Sequence, residues 1–314
     1  MTRVVFMGTP EFAARPLIAL LDAGFHVVAA VAQPDRPCGR GNRLTACPVK
    51  VLAEERGVPV LQFERIRRQE GLDALSALAP DLFVTAAFGQ ILSQRVLDIP
   101  RLGTVNLHAS LLPKYRGPAP INWCLIEGET VTGVTTMMTD AGVDTGDILL
   151  SKEVPILPEE TAGALTARLS EIGASLLVET LRRVEKGDCP RAPQDHAAAT
   201  RHPMLDKSHG KIDWTQSAAR IANLVRGVNP WPGAWTALPG GGVLKIWKAR
   251  AVEGEGVPGQ VLCGDGKRGM SIACGEGILE ILEMQAPNAR RMPARDYLCG
   301  HPLGSGLLLG TEDM

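Results

Sequence analysis

Three residues in this chain have the types and spacing to act on a carbonyl group. Asn106 and His108 stand two apart in "VNLHASLLPKYRGPAPI", Val105 to Ile121, where a buried strand would be better served by aliphatics. In an extended segment an i, i+2 pair projects from one face, so the amide and the imidazole point the same way. Downstream, "VDTGD" (143–147) offers Asp144 and Asp147 in a glycine-flanked loop. An amide can donate to a carbonyl oxygen gaining charge, an imidazole can stabilise that charge or move a proton, and a carboxylate can orient the imidazole. No serine or cysteine stands in a nucleophile elbow, so the attacking atom is expected from a substrate. A strand-end histidine is also a common structural residue, and Asp144 alone would pass for a turn former. Spacing leaves both readings open.

Such a trio needs a platform. From residue 3 to about 187, strand-like and helix-like patterns alternate. "RVVFMG", "HVVAAVAQP", "VPVLQF", "DLFVTAAFG" and "GTVNLHA" read as buried strands. "PEFAARPLIALLDAG" carries Phe12, Leu17, Ile18 and Leu21 at helical spacing, and "PVKVLAEERG" starts at Pro48 and stops at Gly57. "VTGVTTMMT" and "GDILLSKEVPI" form an expected antiparallel pair across the 141–147 turn. A long helix follows over 158–186, with Leu165, Leu169, Ile172, Leu176 and Leu177 recurring. The alternation predicts an α/β domain with a parallel sheet covered on both faces. Ligands of such sheets bind beyond the carboxyl ends of the strands, which is where Asn106 and His108 fall.

At 314 residues two domains are the natural expectation. Composition shifts at "GDCPRAPQDHAAATRHP" (187–203), a linker with three prolines and no apolar period. The boundaries read from this are 1–188, a linker at 189–207, and 208–314. The last segment has one helix, "SAARIANLVRGV", and short β segments broken by glycine, as in a small barrel or sandwich. Trp231 and Trp235, in "NPWPGAW", are expected to pack in its core. Cys124 reads as a small core residue.

The apolar fraction of 45% and charged fraction of 21% are those of a globular protein. A net charge of −1 excludes bulk attraction to nucleic acid or membrane, so any such role needs a local patch. "DRPCGRGNRLTACPVK" (35–50) is one candidate: Arg36, Arg40, Arg43 and Lys50 stand against Asp35 alone. It reads as an irregular solvated loop or as an arm that orders on phosphates. "ERIRR" and "NARRMPAR" each read as ordinary charged faces that could extend such a patch. "FMGTPEF" has one glycine where a dinucleotide fingerprint needs three, so a nucleotide cofactor is disfavoured. Seven cysteines without a CxxC pair predict neither a metal site nor a disulfide framework. The N-terminal apolar run ends at Gly8, short of the roughly 7–15 residues of a secretory core, and no run reaches the ~20 residues of a membrane span. A cytoplasmic monomer is expected.

Taken together, "FMGTPEFAA", "QPDRPCGRG", "NLHASLLPKYRGPAPI", "GVTTMMTDAGVDTGDIL", "KIDW" and "NPWPGAW" resemble the methionyl-tRNA formyltransferases, nearly collinearly over the whole chain. "HxSLLP" followed by "RGxxP" is characteristic of enzymes that use 10-formyltetrahydrofolate. The resemblance implies a Rossmann-like N-terminal domain, an OB-like C-terminal barrel, and formyl transfer to the α-amine of methionine on initiator tRNA. It implies that Asn106, His108 and Asp144 are catalytic. It places the folate against Ser110, Leu111, Leu112 and Pro113, with Phe88, Gly89, Ile91, Leu92 and Asp140 on the pterin side. Arg36, Arg40, Arg43 and Lys50 would reach the tRNA, and Phe12 would sit near the methionine. The segment "RHPMLD" (201–206) departs from the tyrosine-containing pattern usual there. A formyltransferase acting on a nucleotide-linked amino sugar shares "NLHxSLLP" but has no use for a cationic arm. A glycinamide ribonucleotide transformylase would leave the second domain unexplained, and a hydrolase or sensing module would not need a large-acceptor surface.

Overall fold

The computed structural model describes residues 1–38, 41 and 43–310. The chain divides into two compact units that are discontinuous in sequence. The first comprises Met1–Gly117, Val131–Pro155 and Thr166–His202; the second comprises Pro118–Thr130, Ile156–Leu165 and Pro203–Met314.

In chain order, β1 (Arg3–Gly8), α1 (Glu11–Asp22) and β2 (His26–Ala32) are followed by the short strands β3 (Arg36–Cys38) and β4 (Arg43–Thr45). Then come α2 (Pro48–Glu55), β5 (Val60–Gln62), α3 (Gln69–Ala77), β6 (Leu82–Ala86), α4 (Gln94–Leu97) and β7 (Thr104–His108). After α5 (Pro120–Ile126), the strands β8 (Val131–Met138) and β9 (Ile148–Pro155) lead into α6 (Ala162–Lys186). The sheet of the first unit has the order β5-β2-β1-β6-β7-β8-β9. Its pairings are parallel from β5 to β7 and antiparallel at β7–β8 and β8–β9. β6 is buried at every residue and β1 at all but Arg3, as strands covered on both faces require. This is the α/β layer that the alternation predicts, in the Rossmann-like form that the resemblance implies. Order reverses between β1 and β6, and β7 lies one strand beyond that switch.

Local chemistry explains the joints. A Cβ at Gly8 would meet Ala13 Cβ at 2.7 Å and Ala86 O at 3.0 Å, so "FMGTPEF" is a tight strand-to-helix turn. Pro16 lies inside α1 and lacks an N–H, which leaves Phe12 O without its helical donor. Ser170 Oγ from α6 supplies that bond at 2.7 Å. The long helix begins at Ala162 rather than Pro158, because Glu160 turns its carboxylate back onto Leu157 N at 3.1 Å and closes a turn first. Within the 35–50 stretch, read as irregular, β3 and β4 form an antiparallel ribbon that pairs Arg36 with Thr45 and Cys38 with Arg43, and α2 starts at Pro48. Residues 43–45 of the ribbon are exposed, so no apolar period announces it.

The second unit holds α7 (Ala218–Gly227), β10 (Ala234–Ala237), β11 (Val243–Val252), β12 (Val261–Asp265), β13 (Gly269–Ala273), β14 (Ile278–Gln285), β15 (Met292–Pro293) and α8 (Ala294–Gly300). The antiparallel strands run β10-β11-β14-β13-β12, with β15 added to β14. β10 and β12 end the path, the partly open arrangement of an OB-like domain. Its core gathers Trp214, Ile221, Val225, Leu244, Ile246, Ile272, Leu279 and Met284. Cys124 is fully buried as expected. Trp231 is not a core residue: it is 54% exposed, and Trp235 is half-buried. The apolar slots are filled instead by Trp214, whose Nε1–H is satisfied by Thr236 Oγ1 at 3.0 Å.

Candidate active site

β7 presents Asn106 and His108 from one face of its last three residues. Asn106 lies beside Thr85 in the parallel pairing with β6, and His108 beside Thr135 in the antiparallel pairing with β8. Thr85 is buried, and its hydroxyl donates to Asn106 Oδ1 at 2.8 Å. Oδ1 is taken, and the Nδ2 donors are left for a ligand.

His108 is 6% exposed. Its Nε2 lies 2.9 Å from Tyr115 O. A backbone carbonyl can only accept, so Nε2 carries the proton and the tautomer is fixed. Nδ1 is 3.7 Å from Asp144 Oδ2. In the neutral ring Nδ1 has a lone pair; in the imidazolium it is a donor. The same Asp144 Oδ2 accepts from Gly117 N at 2.7 Å. The segment 115–117 therefore holds the imidazole through one carbonyl and the carboxylate through one N–H.

Asp144 reaches this point by an indirect route. β8 ends with Met138 beside Val105, at the other end of β7 from His108. The 139–147 loop must double back for its carboxylate to meet the imidazole. Asp140 Oδ1 accepts from Gly142 N at 3.0 Å and Thr145 Oγ1 at 2.6 Å, closing the first turn of the loop. Asp144 itself sits at φ +52°, in the left-handed region that costs a non-glycine residue about 1–2 kcal/mol. A Cβ at Gly146 would lie 1.9 Å from Met138 O, so only glycine lets the returning chain pass. Asp147, the other carboxylate of the motif, directs its backbone O to Met138 N at 2.9 Å.

Beyond the trio, the structure places the candidate residues in different settings. Ser110 is fully buried, with Oγ donating to Lys114 O at 2.7 Å and its carbonyl accepting from Thr135 Oγ1 at 2.7 Å. Leu112 N donates to the same Thr135 hydroxyl at 3.3 Å. Leu111 and Pro113 are half-buried. Phe88 and Leu92 belong to a packed cluster with Val5, Met7, Val31 and Phe83, whereas Ile91 is 69% exposed. Gly89 takes φ +82° at the tip of that loop. Phe12 is buried in α1. Arg36 pairs with Glu64 at 2.6 Å on the exposed ribbon, and Arg43 is exposed. Lys50 is tied to Asp35 at 2.7 Å and Gln62 at 3.1 Å; the ammonium is held up and the Asp35 carboxyl down by that pairing. Arg40 lies outside the described residues. No group of three or more His, Cys, Asp or Glu among the described residues could hold a metal ion, and no described helix is long and apolar enough to cross a membrane.

Sequence reasoning missed three supports of the site: Thr85, Arg116 and Gln194. Composition makes 187–203 a connector, yet up to His202 it belongs to the first unit. Ala192 exchanges backbone bonds with Ile148 at 2.8 and 2.9 Å. Thr200 receives Tyr115 N on Oγ1 and Arg116 N on its carbonyl, and His202 stacks on Tyr115 with ring centroids 5.3 Å apart. Polar side chains working through single hydrogen bonds leave no periodic signal; the nearest hint was the proximity of Arg116 to the HxSLLP motif.

Family models for formyl transferase match residues 2–181 and, for its C-terminal domain, residues 204–302. A methionyl-tRNA formyltransferase from Citrifermentans bemidjiense is 49% identical over 99% of this chain and 97% of its own length. One from Geobacter metallireducens is 50% identical over 98% of each chain. The fold also matches an N-formyltransferase from Helicobacter canadensis, solved in complex with folinic acid and dTDP-3-aminofucose, at a TM-score of 0.64 and 18% identity. That match covers 90% of this chain and 99% of the other.

Proposed function

The chain belongs to the methionyl-tRNA formyltransferases, and from that premise we propose that it transfers the formyl group of 10-formyltetrahydrofolate to the α-amine of methionine on initiator Met-tRNA. The product is N-formylmethionyl-tRNA for translation initiation, made in the cytoplasm. The observation that carries the chemistry is the convergence of an oriented amide, an imidazole of fixed tautomer and a carboxylate at the end of β7.

The methionine amine attacks the formyl carbon, and its carbonyl oxygen becomes an oxyanion. Asn106 Nδ2 donates to that oxygen because Thr85 occupies Oδ1. His108 Nδ1 donates to it only as the imidazolium, since Nε2–H is committed to Tyr115 O. Asp144, whose Oδ2 lies 3.7 Å from Nδ1, faces that nitrogen and helps to move the amine proton through water. The oxyanion collapses, the bond from the formyl carbon to N10 breaks, and tetrahydrofolate leaves with the proton that the amine has lost on N10.

For the folate, Ser110 to Pro113 would frame one wall. Phe88 and Leu92, as core residues, would fix the 88–92 loop, leaving Gly89 and Ile91 to meet the ligand. Asp140 would act by shaping the Asp144 loop. Arg36 and Arg43 would contact tRNA phosphates from the ribbon, Arg40 would contact them too, and Lys50 would brace the ribbon's base through Asp35. Phe12 would line the methionine pocket. The test is an acceptor screen with 10-formyltetrahydrofolate as donor and Met-tRNA, free methionine and nucleotide-linked amino sugars as acceptors. Met-tRNA should be formylated in strong preference to the others; preferential transfer to an amino sugar would overturn the reading.

A further inference from the structure

We propose that Gln194 is a positioning residue for formyl transfer, acting through Asp144; the inference rests on the function proposed above. Gln194 is 6% exposed. Its Nε2 donates to the backbone oxygens of Asp144 (3.0 Å) and Gly146 (2.7 Å). Its Oε1 accepts from Nε (3.0 Å) and Nη2 (2.6 Å) of Arg116. Both donors and both acceptor positions of the amide are used.

These four bonds tie the loop that carries Asp144 to the segment that follows His108. That segment already touches the reacting groups, since Tyr115 O takes His108 Nε2 and Gly117 N holds Asp144 Oδ2. The result is a closed ring running from His108 through Tyr115, Arg116, Gln194 and Asp144 back to His108 Nδ1. Asp144 is then gripped at two points, its carboxylate by Gly117 and its carbonyl by Gln194. The second grip matters because Asp144 occupies a left-handed conformation that a non-glycine residue leaves when nothing holds it.

The Arg116 side of the ring argues against mere packing. Arg116 is 3% exposed, and its guanidinium partners are Gln194 Oε1 and His196 Nδ1, with no carboxylate among the described residues. Burying a guanidinium without a counter-charge is costly, and apolar residues would fill the same space at less expense. A fully satisfied polar network instead admits one geometry. Here the geometry it selects is the 3.7 Å approach of Asp144 to His108.

The experiment compares steady-state formylation of Met-tRNA by the wild-type chain, Gln194→Glu and Gln194→Met. Glutamate keeps the length and the acceptor for Arg116 but loses both donations to the Asp144 loop. Methionine removes all four bonds. If the wild-type chain does not formylate Met-tRNA, the proposed function has failed, not the role of Gln194. With an active wild type, both variants should lose about 10²-fold in kcat, the scale of a reacting group displaced by ~1 Å. KM for Met-tRNA and for 10-formyltetrahydrofolate should stay within about 3-fold. A Gln194→Glu enzyme with kcat within about 3-fold of wild type would overturn the proposal. So would a loss confined to KM. If Gln194→Met does not fold, the Gln194→Glu result decides alone.

Discussion

Replacing Thr85 by valine isolates the contribution of amide orientation to catalysis. Valine has nearly the shape of threonine, suits a fully buried strand, and removes only the hydroxyl that donates to Asn106 Oδ1 at 2.8 Å. A neutral hydrogen bond of this kind contributes about 1 kcal/mol, within roughly 0.5–1.5. Asn106 is half-buried, so its freed oxygen can turn toward water, and the full cost of an orphaned buried acceptor does not apply. If that energy is what keeps Nδ2 aimed at the oxyanion, kcat should fall by about 5-fold, and by no more than ~13-fold. Deleting the amide altogether should cost about 10²–10³-fold, as for other oxyanion donors. The assay is single-turnover formylation of Met-tRNA at saturating 10-formyltetrahydrofolate, with thermal unfolding as the control for folding. Thr85→Ser should retain most of the rate. In the Asn106→Ala background, Thr85→Val should add less than about 2-fold, since there is no amide left to orient. Full activity in Thr85→Val, or an additive loss in the double variant, would refute the reasoning.

Asn106→Ala and His108→Ala should each lose at least about 10²-fold in kcat while keeping the wild-type unfolding temperature to within a few degrees; near-normal turnover in either would remove that residue from the mechanism. Gly146→Ala would push a methyl group against Met138 O, which lies 1.9 Å from the Cβ position, so the Asp144 loop must shift. A cost of about 1–3 kcal/mol in stability and a disproportionate fall in kcat should follow, read by calorimetry and kinetics. Changing Arg36, Arg40 and Arg43 to alanine should weaken Met-tRNA formylation and spare folate binding. It should also flatten the log–log salt dependence by about 0.9 for each phosphate no longer neutralised; equal damage to both activities would count against the ribbon. Asp265 is held down to about 2, from an ordinary 3.8, chiefly by hydrogen bonds from the backbone and then the side chain of Arg268. A carboxyl lower in the folded state stabilises it above pH ~4 and stops doing so as pH falls toward 2. The unfolding temperature of Asp265→Asn should therefore lie below wild type at pH 6 and converge with it near pH 2, whereas a gap independent of pH would contradict the assignment.

Much of this molecule was legible one segment at a time. The strand and helix order of the first unit, the helix boundaries at Pro48 and Gly57, and the glycine-broken strands of the second unit follow from periods and turn chemistry within a few residues. The shared face of Asn106 and His108 follows from the two-residue repeat of a strand, and its position at a strand end is enough to suggest carbonyl chemistry. What failed to show was material without a period. The ribbon of β3 and β4 pairs backbone to backbone, with residues 43–45 exposed, and Trp231 is exposed whereas Trp214 packs in the core. Ala192–His202 looks like a linker because its bonds are polar and single.

By itself, then, the sequence determined which face of which strand would carry an amide and an imidazole, because alternation along a strand is a local rule. Only the tertiary structure decided that Asp144 would join them, 36 positions downstream of His108 and beyond a strand that ends beside the opposite end of β7. It also decided that Thr85, Arg116 and Gln194 would hold the three in place. The path of a doubling-back loop is set by what it packs against and where its backbone polar groups find partners. Those partners lie tens of residues away, on segments whose own local patterns say nothing of the meeting.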